Sequence, residues 1–299
     1  MDFQTALAFF YSNLEACRLC PRRCLVNRLR GELGFCEAGA RLKIASFCLH
    51  TGEEPPVSGK RGSGAIFFAH CSMRCLYCQN YPISQLGYGN ISTVEDLTAM
   101  MLSLQSQGAH NINLVTPTHF LPHVVQAVVA ARSKGLRLPL VYNVSGYESV
   151  ETIHMLEGIV QVYLVDMRYS SSTLASEYSQ APDYPHHNRL AVKEMLRQVG
   201  PLRCRSGLAV HGVIIRHLLL PGLLSETDAI LRFISHRLST AIPVSLMSQY
   251  FPAHRAHLVP ALSRKITGQE YRRAIGLLER YQLRTGWVQD PDSVGVPVA

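Results

Sequence analysis

The sequence predicts an α/β protein: a partial (βα)6 barrel, TIM-like in its winding, behind a small cysteine-rich N-terminal extension. Three observations predict it. From about residue 62 short apolar segments alternate with longer amphipathic ones, six times over. The short segments are β-branched and apolar on both faces, as buried parallel strands are. No G-x-G-x-x-G follows the first of them, which weighs against a dinucleotide-type doubly wound sheet, the alternative that periodicity alone leaves open.

The expected strands are Gly64–Phe68, Asn111–Val115, Leu138–Asn143, Val160–Val165, Val210–Leu220 and Pro243–Met247. Helices are expected at Val94–Gln107, Leu121–Lys134, Ser149–Glu157, Leu190–Val199 and Glu226–Leu238. A last helix, Gln269–Tyr281, leads to a short strand near Gly286–Gln289, and the apolar patch Ala6–Tyr11 reads as a short helix near the N-terminus. Thr93 with Asp96, and Ser225 with Asp228, have the spacing of helix starts, in which a hydroxyl caps and an acid returns the bond. Gly108 and Gly135 stand where helices end, because glycine accepts the left-handed turn there. The division expected is residues 1–60 for the extension and 61–299 for the barrel.

Composition narrows the function. The chain has 299 residues, 47% of them apolar, enough for one large core. Nine cysteines without a secretory leader point to a reducing, cytoplasmic setting, where clustered thiols bind metal and do not form disulfides. No apolar run approaches the ~20 residues that span a membrane. The net charge of +8 is scattered, without a basic stripe interleaved with aromatics, so a nucleic-acid partner is not expected.

The chemistry gathers in two cysteine groups. Cys71, Cys75 and Cys78 follow the strand-like run Ala65–Ala69 with the spacing C-x3-C-x2-C. A [4Fe–4S] cluster normally takes four thiolates, so three would leave one iron open. An open position marks a catalytic metal site, whereas closed sites are structural. A zinc site would want a fourth ligand at short spacing, and His70, adjacent to Cys71, is badly placed to provide it. Cys17, Cys20, Cys24 and Cys36 precede the barrel as C-x2-C-x3-C-x11-C. Four thiols suit structural zinc or a second [4Fe–4S] cluster, and spacing does not choose between them. Cys48 and Cys204 are isolated and read as structural.

In a parallel barrel, functional side chains collect at strand C-terminal ends. Polar residues stand at each: Thr116-Pro117-Thr118-His119, Asn143-Val144-Ser145-Gly146-Tyr147, Asp166-Met167-Arg168-Tyr169, Arg216-His217 and Ser248-Gln249-Tyr250. Each alone reads equally well as a cap or turn residue; together they suggest a pocket for a polar cofactor.

These strings resemble a known family. Cys17–Cys24, Glu53-Glu54-Pro55-Pro56-Val57-Ser58-Gly59, Cys75–Tyr81, Gly108–His119, Val141–Tyr147, Arg216–Gly222 and Ser248–Tyr250 are similar to the radical S-adenosylmethionine (SAM) proteins. The likeness is to the homologues of pyruvate formate-lyase activating enzyme that carry a Cys-rich N-terminal segment, and it covers about four-fifths of the chain. The resemblance implies a radical SAM barrel and a [4Fe–4S] cluster on Cys71, Cys75 and Cys78, with SAM on the open iron. It implies reductive cleavage of SAM to methionine and a 5′-deoxyadenosyl radical, followed by hydrogen abstraction, in activating enzymes from a glycine of a partner protein. An electron donor such as flavodoxin or ferredoxin, and a glycyl radical enzyme, are the implied partners. Two departures bear on the pocket. The family's Gly-Gly-Glu motif is replaced by Asn113–His119, and its Asp-x-Lys by Asp166-Met167-Arg168. Arginine still binds a carboxylate, with different geometry. Arg168 is therefore expected on the SAM carboxylate, with Tyr77, Asn113, Thr116, Asn143, Ser145, Asp166 and His217 lining the cofactor site. The readings that compete are a non-catalytic iron–sulfur electron carrier, a radical SAM enzyme for a peptide or small molecule, and a zinc-binding adaptor, which leaves the barrel pattern unexplained.

Overall fold

The computed structural model describes residues 3–289. Ten strands form one sheet system: β1 Lys43–His50, β2 Ser63–Phe68, β3 Asn90–Ile91, β4 Ile112–Val115, β5 Leu140–Val144, β6 Val162–Asp166, β7 Arg203–Arg205, β8 Leu208–Leu218, β9 Val244–Met247 and β10 Gly286–Val288. The order is β10-β9-β8-β6-β5-β4-β2-β1-β3, with β7 paired to β8. Along the run β2-β4-β5-β6-β8-β9-β10 the strands are parallel and lie in chain order. A doubly wound sheet reverses direction at a switch point. This one does not, so its winding is that of a barrel, left open between β10 and β3.

The helices are α1 Phe3–Ser12, α2 Pro55–Ser58, α3 Tyr81–Ser84, α4 Val94–Ser106, α5 Leu121–Ser133, α6 Val150–His154, α7 Ser172–Ser179, α8 Tyr184–Val199, α9 Leu224–Phe233 and α10 Gly268–Arg280. Thr93 and Asp96 form the expected reciprocal cap of α4. Gly108 and Gly135 hold left-handed φ of 89° and 97° after α4 and α5. The start expected at Ser225 is corrected. Leu223 precedes the first turn, Ser225 lies inside α9, and Asp228 accepts from the Tyr281 hydroxyl at 2.9 Å. The capping acid is occupied by a tertiary partner, so the local motif loses.

Strand alternation sorts the core. Tyr142, Tyr163, Val165 and Ile215 face the helices in the main core. Val141, Val162, Leu164 and Ile214 face inward and pack on Val57 of α2, which plugs the lower barrel. The stretch set apart as an extension thus contributes β1, antiparallel on β2, and the plug. β1 and α7 were not foreseen. β1 is half exposed, and α7 carries only a weak apolar pattern.

Candidate active site and metal centres

The loop after β2 carries Cys71, Cys75 and Cys78 at the upper end of the barrel. His70 turns it, with a left-handed φ of 72°. Neighbouring elements fix its backbone: Leu76 N–H donates to Tyr178 O at 2.8 Å, at the end of α7, and Arg255 N–H donates to Leu76 O at 2.8 Å. Each sulfur faces a donor. The Cys75 Sγ accepts from Arg168 Nη1 and from Ser179 Oγ, both at 3.0 Å. Ser84 Oγ is 3.1 Å from the Cys78 Sγ, and Met73 N–H lies 3.4 Å from the Cys71 Sγ. Burial, then the neighbouring Cys75 sulfur, pushes the Cys71 thiol up to about 12. Burial and the Cys75 sulfur raise the Cys78 thiol as well, and a bound metal would ionise such thiols outright. The donor set fits an iron–sulfur cluster.

Behind Cys75 a buried polar network descends the barrel axis. Asp166 Oδ2 accepts from Arg168 Nη2 at 2.6 Å and Nε at 3.1 Å, and Asp166 Oδ1 accepts from Arg216 Nε at 2.8 Å. Arg216 Nη2 donates to Asn143 Oδ1 at 2.7 Å, and its Nη1 stands 3.5 Å from Glu53 Oε2. Glu53 Oε1 accepts from Asn113 Nδ2 at 3.0 Å. Burial alone would raise the Asp166 carboxyl, but Arg216 and Arg168 outweigh it and hold the group below its ordinary value. Glu53 is lowered against the same burial by His50 and Arg216. A continuous line of alternating charge thus joins Glu53 at the plug to the cluster loop.

The expected site residues divide. Asn113, Asn143, Asp166 and Arg168 meet in this network. Tyr77 is buried in the cluster loop, its hydroxyl 2.5 Å from that of Tyr169. Thr116 ends β4 in a left-handed backbone, φ 57°, its N–H donating to Asn143 O at 2.8 Å. That is a rare state for a β-branched residue, and such states cluster at functional sites. The Ser145 carbonyl accepts from Tyr184 Oη at 2.8 Å. His217 is corrected. Its Nδ1 lies 2.7 Å from Met167 O and its Nε2 2.9 Å from Thr227 Oγ1, buried against α9. Neighbours on a strand face opposite ways, so Arg216 pointing inward sends His217 out. Glu53 and Arg216 were missed as site residues. The signals were there: a Glu-Glu pair before a proline turn, and a basic residue that β6–β8 register sets beside Asp166.

The second cysteine group packs on the first. Cys17 Sγ accepts from Arg28 Nη2 at 3.0 Å, and Cys36 Sγ lies 3.7 Å from the same nitrogen. Arg28 is buried, its Nη1 donating to His119 O at 2.5 Å. Phe35 N–H approaches Cys24 Sγ at 3.5 Å. Gly34 is required there, because a Cβ would stand 2.9 Å from the Cys24 sulfur. Glu148, buried beneath this group, accepts from Thr118 Oγ1 at 3.0 Å and is raised by burial to about 8. One buried and three half-buried cysteines, with an arginine and the Phe35 amide as donors, fit a metal centre.

No family model matches the chain. It is 31% identical over 279 residues to the uncharacterized protein MJ0674 of Methanocaldococcus jannaschii, spanning 89% of this chain and 75% of that protein. The uncharacterized protein MJ0808 of the same organism is 25% identical over 170 residues, half of each chain. Among solved structures, the FeFe-hydrogenase maturase HydG of Carboxydothermus hydrogenoformans superposes with a TM-score of 0.52 at 15% identity, covering 75% of this chain and 53% of HydG. SuiB of Streptococcus suis, bound to precursor peptide SuiA, gives 0.51 at 10% identity, covering 74% and 47%. Both are radical SAM enzymes. The chain spans about half the length of these two structures, and the likeness to them is one of fold. No helix among the described residues is long and apolar enough to cross a membrane.

Proposed function

This chain belongs to the family of MJ0674 and has the radical SAM fold, and from that premise we propose that it is a radical SAM enzyme. The observation that carries the reading is Arg168. Its guanidinium bridges Asp166 and the Cys75 sulfur at the upper mouth of the barrel. Cys71, Cys75 and Cys78 would hold a [4Fe–4S] cluster. When bound, that cluster supplies the electron that cleaves the sulfonium of SAM and so generates a 5′-deoxyadenosyl radical. The chain's own residues orient and enclose. Asp166 and Arg216 hold Arg168 in place, and Arg168 offers the cation nearest the cysteines for a carboxylate. Buried Tyr77, Tyr169 and Tyr250 keep water from the loop, which preserves reactive intermediates. An electron carrier needs no such polar column over its cluster, so the non-catalytic reading is not preferred.

The finer reading, a glycine of a partner protein as hydrogen donor, rests on the sequence resemblance. The gap between β10 and β3 agrees with it, since a barrel open on one side admits a peptide segment. A one-electron donor of the flavodoxin or ferredoxin kind completes the proposal. The test is anaerobic reconstitution with iron and sulfide, chemical reduction, and measurement of 5′-deoxyadenosine. Wild type should form it, and Cys71→Ala, Cys75→Ala and Cys78→Ala should not. Undiminished product in any of the three would overturn the assignment.

A further inference from the structure

We propose that Cys17, Cys20, Cys24 and Cys36 hold a second cubane iron–sulfur cluster, not zinc, and that it is redox-linked to the first through the interlocked cysteine loops. The inference rests on the reading of Cys71, Cys75 and Cys78 as a cluster site.

Sulfur spacing is the first argument. One zinc ion bonded to four sulfurs at about 2.3 Å draws them to about 3.8 Å from one another. Among the described residues, three ligand atoms all within 4.8 Å of each other occur only at His154, Glu157 and Glu194. No three sulfurs of the N-terminal group are drawn in that far. The same holds for Cys71, Cys75 and Cys78, so neither group meets the spacing of ligands on a single ion. Sulfurs bound to four different irons must stand further apart than sulfurs on one ion. The N-terminal four still form one group: Arg28 Nη2 reaches the Cys17 and Cys36 sulfurs, Leu25 N–H donates to Cys17 O, Arg23 N–H donates to Cys20 O, and Gly34 and Phe35 close on the Cys24 sulfur.

The donors are the second argument. Buried Arg28 reaches both Cys17 and Cys36. Hydrogen bonds to the sulfurs and net charge are what set a cluster's reduction potential. The contact between loops is the third. Arg22, between Cys20 and Cys24, donates from Nε to Ser72 O at 3.2 Å and stacks 3.6 Å over the Phe35 ring. Arg74, between Cys71 and Cys75, donates from Nη2 to Phe35 O at 3.0 Å and pairs with Glu37. Phe35 adjoins Cys36. Each cysteine loop therefore grips the other between its own ligands, which is more than an N-terminal staple requires. In the redox step a low-potential one-electron donor reduces the N-terminal cluster. That cluster would return to its oxidised state by passing the one electron to the cluster of Cys71, Cys75 and Cys78, which is reduced by it, with no bond made or broken.

The experiment uses the full chain, reconstituted anaerobically with iron, sulfide and zinc all present. Wild type should hold about eight irons and no zinc, two cubanes' worth. The Cys71→Ala/Cys75→Ala/Cys78→Ala variant should keep about half the iron and show a reduced-state EPR signal that SAM does not alter. Arg28→Met in that background should shift the midpoint of this signal to lower potential. Cys20→Ala/Cys24→Ala should keep the SAM-sensitive signal alone. Fully reduced wild type should show spin–spin broadening absent from both variants. About four irons and one zinc in wild type, a measurement that needs no variant to fold, would overturn the proposal while leaving the SAM-sensitive cluster intact. A wild-type spectrum equal to the sum of the two variants would overturn the linkage. Loss of SAM sensitivity everywhere would instead sink the radical SAM reading.

Discussion

Arg168 touches both the cluster loop and the charge column, so its removal has a double reading. Arg168→Ala should weaken SAM binding by about 2 kcal/mol, the range of a charged hydrogen-bond pair; equilibrium binding to the reconstituted enzyme checks it, and unchanged affinity removes Arg168 from the pocket. Arg216 has a different role. It stands between Asp166 and Glu53, and deleting it leaves two buried carboxylates short of a cation. Arg216→Met should cost about 3–5 kcal/mol of stability in urea unfolding. Glu53→Gln added to it should recover part of the loss, because one orphaned charge goes with it. Glu148 gives a pH signature. Its folded-state value of about 8 lies above that of an unfolded glutamate. The native state therefore keeps a proton that the unfolded state has released, and stability falls as pH rises from about 4.5 to 8. The slope is about 1.4 kcal/mol per pH unit for one proton. Glu148→Gln should flatten it, gaining on wild type at pH 8 relative to pH 5; parallel slopes would show that Glu148 does not stay protonated.

At the scale of elements, the short N-terminal loop depends on close approach more than on regular structure. Gly34 lies against the Cys24 sulfur, and Gly34→Ala forces a methyl to 2.9 Å from it. The variant should lose metal from the N-terminal group and keep the iron of Cys71, Cys75 and Cys78, as metal analysis would show. Full metal content would mean that the loop yields without cost. The elements also mark where sequence reading stopped. α4 was legible because Thr93 and Asp96 satisfy each other within one turn. α9 was foreseen, but its start was misread because its acids bind across the fold: Glu226 accepts from Ser170 N–H at 2.7 Å and Ser171 N–H at 2.9 Å. α7 was missed although its Ser179 supports Cys75, because a short helix with a polar face gives little periodicity.

At the scale of the whole molecule, the two cysteine loops and the barrel mouth form one packed unit. Leu19 O accepts from Thr152 Oγ1 at 2.8 Å, and Cys17 and Leu19 lie in the main core. Metal binding to such loops is folding free energy. Stripping the metal should lower the melting temperature and open residues 17–36 and 70–80 to protease together, followed by mass spectrometry of the first fragments. Cleavage confined to one loop would show that they fold independently.

The sequence by itself determined the parallel α/β architecture, the cysteine loop after the first barrel strand and most of the polar strand ends. Those properties are local: strand periodicity, ligand spacing and capping pairs are written within a few residues. It could not determine which polar residues face inward, because a one-residue change of phase exchanges Arg216 for His217. Nor could it place Glu53, about 60 residues before its partner Asn113, beneath the site. Only tertiary structure brings Glu53, Arg216, Asp166 and Cys75 into one column, since buried charges are tolerated only where the fold gathers their partners from several strands at once.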